Sequence, residues 1–402
     1  MSSSLTPGTM KIAILGFSRE GRSLYKFLKK QPSYKKAEFF ILDQNTKTKT
    51  PKETTPVLGK KYLNNIKEYD QVFRSPGVPY HLVKKHKNIT SPTELFFKLC
   101  PAKIIGITGT KGKGTTSTLI YKILKGCKKD AYLVGNIGKP AIDSLSKLKK
   151  SSWVVFELSS FQLQGIKQSP HVAVMLDLFP DHMEVHTSYQ EYVNAKKNIH
   201  RHQKSSDKAF FVKDLDLKKF KAFSPGDLKI PGEHNFKNAV MAYTVTKNLK
   251  CPEKKIIETI TKFKGNEHRL EFVKRVKGVA FYNDSASTNP QTTIAAIKAF
   301  SEPKILIAGG YDKNLSYQPW GKVFPKANIK ALILIGDNKQ KIKKALVKKN
   351  LSIKTASSLK EAVQLAKKLA VQNDVVILSP GAASFDMFNG YDDRGQKFKN
   401  LI

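Results

Sequence analysis

The stretch Ile104-Ile-Gly-Ile-Thr-Gly-Thr-Lys-Gly-Lys-Gly-Thr-Thr116 contains the residue types needed to grip a polyphosphate. Gly109, Gly112 and Gly114 let backbone N–H groups converge on phosphate oxygens, and a helix starting behind them adds positive potential. Thr110 and Lys111 complete the turn. Lys113 is placed to reach β- and γ-phosphates, with the hydroxyl of Thr115 or Thr116 on the metal side. Apolar residues precede this loop, and the amphipathic run Leu119–Leu124 follows it. The order strand, phosphate loop, helix implies a nucleotide site. The spacing from the first glycine to Gly112 departs from the consensus, and Gly114 stands where a hydroxyl residue usually follows the lysine.

Other polar residues gather at the ends of apolar runs. Trp153-Val-Val-Phe-Glu157 delivers a carboxylate in the same block as the loop, as a Mg²⁺ ligand requires. Ser159, Ser160 and Gln162 follow at once. Asp177-Leu-Phe-Pro-Asp181-His182 offers two carboxylates and an imidazole, and Asn136 lies in a nearby Gly-Asn-Ile-Gly turn. Farther on come Glu267-His-Arg269, the run Asn283-Asp284-Ser-Ala-Ser-Thr288-Asn289, Gly309-Gly-Tyr-Asp-Lys313, and Ser379–Asp386. Each is a loop after a predicted strand. The chemistry implied is a nucleotide held by phosphates on one block and by base or ribose on another, in an enzyme that closes on its substrates.

The elements that must position these residues form three α/β blocks. The first opens with strand Met10–Leu15, then Gly16-Phe-Ser18-Arg19-Glu-Gly21, helix Ser23–Lys29 and strand Glu38–Leu42, ending at Asp43 and Gln44. A turn at Val72–Gly77 brings a second loop to the same edge. The second block adds strands Trp153–Phe156 and Val172–Leu176 and helices Tyr189–His200 and Ala239–Leu249. The third has strands Val279–Tyr282, Ile305–Ala308, Ala331–Ile335 and Val375–Leu378, separated by helices including Thr292–Phe300 and Leu359–Val371. Alternation of this kind predicts parallel sheets with ligands at the strands' C-terminal ends. The expected division is an extension at 1–9, read as disordered, and domains at 10–100, 101–265 and 266–402.

Composition narrows the class. The formal charge is +39, yet only seven of the 71 basic residues are arginine, and the lysines are spread over every segment. Bidentate readout of phosphates and bases favours arginine, so nucleic acid is not expected as a partner. No apolar run approaches the roughly 20 residues of a membrane span. Met1–Thr9 lacks the charged and apolar regions of a signal peptide. Three separated cysteines suit a reducing compartment. A cytoplasmic monomer is expected.

With these motifs in place, the chain from Met10 onward resembles the Mur ligase superfamily, within it the D-glutamate-adding branch. The most specific stretches are Glu157-Leu-Ser-Ser-Phe-Gln-Leu163, Asp181-His-Met183, Pro231-Gly-Glu-His-Asn-Phe-Lys-Asn-Ala239, Asn283-Asp-Ser285 with Thr288-Asn289, and Ser379–Phe388 with Arg394-Gly395. The resemblance implies three domains, namely a Rossmann-like N-terminal domain, a central phosphate-loop ATPase with a mainly parallel sheet, and a Rossmann-like C-terminal domain. It implies ATP-dependent joining of D-glutamate to UDP-N-acetylmuramoyl-L-alanine through an acyl phosphate and a tetrahedral intermediate, in peptidoglycan precursor synthesis.

By the same resemblance, Lys113 and Thr115 serve ATP phosphates and Mg²⁺ (or Mn²⁺), while Glu157 and His182 match metal ligands. Lys196 matches a lysine carbamylated in the family. Asn238, Arg269 and Asp284 match nucleotide positions. Thr288, Lys313, Ser384 and Tyr391 match positions that grip D-glutamate, with Tyr391 where Phe is common. Ser18, Arg19, Asp43, Gln44, Ser75 and Gly77 would lie near the uridine diphosphate, and Asn136, Ser159 and His182 near the rest of that substrate. Two departures stand out. Ala286 replaces a usual lysine, and Gly114 gives the loop the form seen in folylpolyglutamate synthases, which moves the metal-side hydroxyl to Thr115. A folylpolyglutamate synthase is the rival within the superfamily, opposed by the separate N-terminal block. A basic nucleic-acid-binding ATPase is the rival outside it, opposed by the dispersed lysines.

Overall fold

The computed structural model describes residues 9–135, 139–182, 185–346 and 351–402. The chain divides into two compact units, one comprising residues up to Phe220 together with Lys237–Thr259, the other Lys221–Phe236 with Ile260–Ile402.

The first unit contains two five-stranded parallel sheets. The first has strands β1 (Lys11–Leu15), β2 (Glu38–Asp43), β3 (Thr54–Leu58), β4 (Gln71–Arg74) and β5 (Ile89–Thr90), in the order β3-β2-β1-β4-β5. Chain direction through the sheet reverses between β1 and β4, which opens a crevice at their C-terminal ends. Both faces are covered: Ile12 and Ile14 join one apolar cluster with Leu24, Leu28 and Phe73, while Ala13 and Leu15 join another with Ile66 and Val72. That is why β1 reads as an unbroken apolar run.

The second sheet comprises β6 (Lys103–Thr108), β7 (Ala131–Gly135), β8 (Trp153–Glu157), β9 (Val172–Met175) and β10 (Lys208–Phe211), ordered β10-β9-β6-β8-β7. Strand β6 is central, so the phosphate loop leaves the middle of the sheet. The neighbouring β8 and β9 end beside it, in register Ile107–Glu157 and Thr108–Met175.

The second unit carries β11 (Glu271–Val276), β12 (Val279–Asn283), β13 (Lys304–Gly309), β14 (Ile329–Ile335), β15 (Ile353–Thr355) and β16 (Val375–Leu378), ordered β11-β12-β16-β13-β14-β15. Strands β12, β16, β13, β14 and β15 are parallel, as the alternation predicts, and β11 is added at the edge, pairing antiparallel with β12. A hairpin through Lys277, at φ +48°, and Gly278, at φ +79°, needs no crossover helix. Alternate β13 residues again face two cores, Leu306 and Ala308 one way, Ile305 and Ile307 the other.

The helix expected at Ala239–Leu249 begins six residues earlier, spanning Glu233–Asn248. The helix expected at Ser23–Lys29 spans Arg19–Leu28, with Ser18 at its N-cap position. Among the described residues no helix is long and apolar enough to cross a membrane.

Candidate active site

The phosphate loop is held from within. Thr108 ends β6, and Gly109 follows at φ +154°, where a Cβ would stand 2.6 Å from Leu176 Cβ. Thr110 is bonded within the fold. Its N–H donates to Asp177 O (2.9 Å), and its Oγ1 accepts from Phe179 N (2.9 Å) and pairs with Tyr192 OH (2.8 Å). These bonds tie the loop to the Asp177–His182 segment. Lys111 is exposed. Lys113 Nζ donates to Gly109 O (2.9 Å) and Thr110 O (3.0 Å), folding the ammonium over its own loop.

The helix Lys113–Gly126 starts at Gly112, which has φ +82°. A Cβ at Gly112 would overlap the Asn238 side chain, so Asn238 lies directly against the loop. Gly112→Ala is expected to cost about 2 kcal/mol through left-handed strain and this overlap. It should weaken nucleotide binding about tenfold or more. Urea denaturation and a fluorescent-nucleotide titration check both, and wild-type values would show that the loop tolerates a side chain here. On the first turn, Gly114 and Thr115 are half-buried. Thr116 is fully buried, and its Oγ1 has no hydrogen-bond partner among the described residues.

Glu157 closes β8 with 3% of its surface exposed. Ser159 caps the next short helix, taking Gln162 N on its Oγ (3.2 Å), while Gln162 Oε1 takes Ser159 N (2.9 Å). Gln162 Nε2 then reaches Glu20 Oε1 (2.8 Å) in the first-sheet region. Burial raises the Glu20 carboxyl above its usual range. His182 is in the left-handed region, φ +58°, with its ring 5.0 Å from that of Phe161 and its Nε2 3.7 Å from Asp181 Oδ2.

Lys196 is the most perturbed residue of the site. It belongs to the helix Tyr189–Arg201, whose inward face is Tyr192, Ala195, Lys196 and Ile199. Taken alone it reads as one more surface lysine, and the structure overturns that: only 2% of it is exposed. Its Nζ donates to Gly109 O (2.9 Å) and lies 4.8 Å from the centre of the Tyr192 ring. Desolvation, reinforced by the Lys113 charge and opposed by Asp181 and Glu157, lowers its pKa to about 7. Lys113, Ser159, Gln162, Asp181, His182, Tyr192, Lys196, Glu20 and Gly77 line one cleft of about 250 Å³.

The first-sheet positions surround the β1/β4 crevice. Ser18, Arg19, Gln44 and Gly77 are exposed. Ser75 is buried and gives its hydroxyl to Gly16 O (2.6 Å). Asp43 Oδ2 accepts from Phe17 N (2.8 Å), fixing the loop after β1. Asn136 lies outside the described residues. One residue not singled out in the sequence organises this edge. Arg74 is 1% exposed and donates to Val78 O (2.8 Å) and to Phe161 O (2.7 Å), so the β4 loop is bonded to the Ser160–Leu163 helix. Burial lowers its pKa to about 10.

In the second unit, Asp284 ends β12 and is buried. Its carboxylate accepts from Leu270 N (3.1 Å), Ser287 Oγ (2.5 Å) and Ser379 Oγ (2.7 Å), and desolvation pushes its pKa up to about 6. It thus joins the turn before β11 to the loops after β12 and β16. Arg269, Lys313 and Tyr391 are exposed, Thr288 is half-buried, and Ser384 is buried. Lys313 Nζ lies 5.8 Å from the Phe385 ring centre. Arg394 was legible only as part of a motif, yet it is fully buried. It donates to Ser285 O (2.9 Å), Ser285 Oγ (3.0 Å), Ala382 O (3.1 Å) and Ala383 O (3.2 Å). Ala286 is half-buried, its N–H on His268 O (2.9 Å).

A phosphate loop on a central parallel strand, with a buried carboxylate and a depressed lysine beside it, defines a nucleotide-dependent α/β enzyme. Comparison with known proteins narrows the class. The Mur ligase middle domain matches residues 107–226, and the Mur ligase glutamate ligase domain matches residues 268–381. UDP-N-acetylmuramoylalanine--D-glutamate ligase of Acetivibrio thermocellus is 36% identical over 98% of this chain and 96% of its own. The enzyme of the same name from Clostridium tetani is 35% identical over the same shares. The fold is similar to that of UDP-N-acetylmuramate-alanine ligase from Thermotoga maritima, with TM-score 0.57 and 16% identity over 97% of this chain and 98% of that one. It is also similar to that of the MurF ligase of the same organism in complex with ADP, with TM-score 0.54 and 15% identity over 98% and 95%. The chain belongs to the Mur ligase family.

Proposed function

We propose that this protein is the ATP-dependent, ADP-forming ligase that adds D-glutamate to UDP-N-acetylmuramoyl-L-alanine, acting as a cytoplasmic monomer in peptidoglycan precursor synthesis. The observation that carries the reading is the cleft in which Lys113, Asp181, His182 and Lys196 meet beside the phosphate loop. Full-length similarity to ligases of that name supports the substrate choice. We assign the three domains to 10–100, 101–265 and 266–402.

A carboxylate is a poor electrophile. An oxygen of the L-alanine carboxylate attacks the γ-phosphorus of ATP, the bond to the bridging oxygen breaks, and ADP leaves. The neutral amine of D-glutamate then attacks the acyl carbon and loses one proton to solvent, and phosphate departs from the tetrahedral intermediate with the electron pair of the C–O bond. Lys113 and the loop amides from Gly109 to Thr115 hold the β- and γ-phosphates as charge moves between them.

The residues fit a hard divalent cation. Glu157 would supply a buried carboxylate, Thr115 a hydroxyl on the first helical turn and His182 an imidazole from the loop that follows β9. Phosphate oxygens of ATP would add further ligands of the kind that Mg²⁺ or Mn²⁺ takes. When bound, the ion neutralises phosphate charge. We further propose that Lys196 is carbamylated. With a pKa near 7 its amine is substantially neutral at physiological pH, the form that adds to carbon dioxide.

We assign Asn238, Arg269 and Asp284 to the nucleotide, Asp284 through the loops it ties together. Thr288, Lys313, Ser384 and Tyr391 are assigned to D-glutamate, and Ser18, Arg19, Asp43, Gln44, Ser75 and Gly77 to the uridine diphosphate. The β1/β4 crevice supports the last assignment. Phosphate release is measured with UDP-N-acetylmuramoyl-L-alanine and a panel of amino acids. Turnover that depends on D-glutamate is expected; turnover on a different acceptor only would overturn the specificity.

A further inference from the structure

Three neighbouring parallel strands of the second unit, β16, β13 and β14, end at the same edge of their sheet. The loops that follow them carry Ser384, Lys313 and Asn338, the last of which belongs to none of the sequence motifs. Asn338 is only 1% exposed and reaches into both other loops. Its Oδ1 accepts from Gly310 N (2.9 Å), and its own N–H donates to Gly310 O (3.1 Å), so residue 310 is held at both its donor and its acceptor. Its Nδ2 donates to Tyr317 OH (2.6 Å), and that hydroxyl donates to Gly381 O (3.1 Å). The bonds run one way, from amide through phenol to carbonyl. Tyr317 is buried, and desolvation raises its pKa to about 12, which keeps the hydroxyl proton on Gly381.

The two residues reached from Asn338 flank a backbone joint. Tyr311 N donates to Ala383 O (2.9 Å), bonding the loop after β13 to the loop after β16. Gly310 stands one residue before Tyr311, and Gly381 two before Ala383. Lys313 lies two residues beyond Tyr311, and Ser384 one beyond Ala383. Asp312, next to Lys313, pairs with Lys341 (3.0 Å) on the helix Lys339–Leu346, which starts directly after Asn338. The loops meet backbone to backbone: Gly336 takes φ +77°, and a Cβ there would stand 2.5 Å from Gly310 Cα. An ammonium and a hydroxyl can hold a dicarboxylic amino acid in one pose only while the loops presenting them keep their register. A misplacement of about 1 Å arising far from the chemistry costs about 10²-fold.

We propose that Asn338 is a positioning residue for the amino-acid substrate, setting the register of the Lys313 and Ser384 loops through Gly310 on one side and the Tyr317–Gly381 bond on the other. The inference rests on the assignment of Lys313 and Ser384 to D-glutamate. Being buried, Asn338 acts through those loops rather than by contact. It serves capture of the amine and not the transfer of phosphate to the L-alanine carboxylate, which needs no amino acid.

The test uses the full chain with Asn338→Ala and, separately, Tyr317→Phe. Each substrate is varied in turn, and single-turnover ADP formation is followed without D-glutamate. Asn338→Ala is expected to raise KM for D-glutamate about 10²-fold. KM for ATP and for UDP-N-acetylmuramoyl-L-alanine, and the single-turnover rate, stay within about twofold. Tyr317→Phe removes only the hydroxyl and keeps the ring on Trp320, 4.9 Å between centres. It should raise the same KM about fivefold, the loss of one buried hydrogen bond. An unchanged KM for D-glutamate in folded Asn338→Ala would overturn the proposal, as would an unchanged one in Tyr317→Phe should the alanine variant not fold. A loss shared equally by all three substrates and by ADP formation would overturn it too, since that marks a role in the fold alone. Wild-type turnover on another acceptor only would sink the D-glutamate reading, and the same split would then be read on that acceptor, so the two failures are told apart.

Discussion

Replacing Glu157 by glutamine is expected to lower kcat about 10³-fold with little change in denaturation midpoint. The substitution keeps the shape of a side chain at the end of β8, where Glu157 is in register with Ile107 and Gly135 on the strands either side. It removes the negative charge presented to the phosphate loop. The same charge raises the Lys196 pKa, against desolvation and Lys113. In the variant the Lys196 amine is therefore still more easily neutral, and carbamylation is not blocked. The loss consequently reports the carboxylate itself. Phosphate-release kinetics over a Mg²⁺ titration separate two cases. A lost metal ligand raises the Mg²⁺ requirement as well as lowering kcat, whereas wild-type turnover at ordinary Mg²⁺ would remove Glu157 from the site. His182→Ala is expected to behave alike, although His182 is half-exposed and its variant leaves no buried cavity.

What was readable in the sequence follows from which signals are local. Strands covered on both faces, such as β1, β6, β13 and β16, show as apolar runs, and the phosphate loop shows by its glycines and lysines. Edge strands give no such run. β3 (Thr-Thr-Pro-Val-Leu), β10 and β15 are each exposed over part of their length, and β11 is the half-exposed edge that pairs antiparallel. The helix at Glu233 begins in polar residues, so its apolar pattern emerges only at Ala239. Site residues whose role depends on distant partners were the hardest. Thr110 reads in sequence as one residue of the phosphate loop, and its bonds to Tyr192 and Phe179 show only in three dimensions. Arg74 and Arg394 each bond to backbone carbonyls of separate loops. Arg394 showed as part of a motif, and for Arg74 the available signal was rarity, one of seven arginines in a chain that otherwise uses lysine. A guanidinium presents five donors in a fixed fork, which suits carbonyls arriving from several directions, and a lysine cannot reproduce that.

Lys196→Met should separate activity from stability in opposite directions. Lys196 is almost wholly buried, and the helix face that carries it also carries Tyr192, Ala195 and Ile199, an apolar stripe at helical spacing. Lowering a lysine from 10.5 to about 7 corresponds to roughly 5 kcal/mol held against folding at low pH. The sign follows from proton binding. Between about pH 7 and 10.5 the unfolded chain binds this proton and the folded chain does not, so wild-type stability rises with pH across that window. Below the folded pKa the penalty is present in full. Methionine has similar length and no charge, so the variant should be more stable than wild type at neutral pH without Mg²⁺, and its stability should lack that rise. Turnover should fall at least about 10²-fold, because neither an amine nor a carbamate then stands beside Gly109. Urea denaturation at pH 6.5 and 9.5, paired with phosphate release, measures both. If Lys196 were only a filler of the core, Met would leave turnover intact. A companion variant, Lys196→Ala, addresses the carbamate: a small carboxylate diffusing into the vacated space should restore part of the lost activity, and a folded variant that no carboxylate rescues would leave Lys196 acting as an amine.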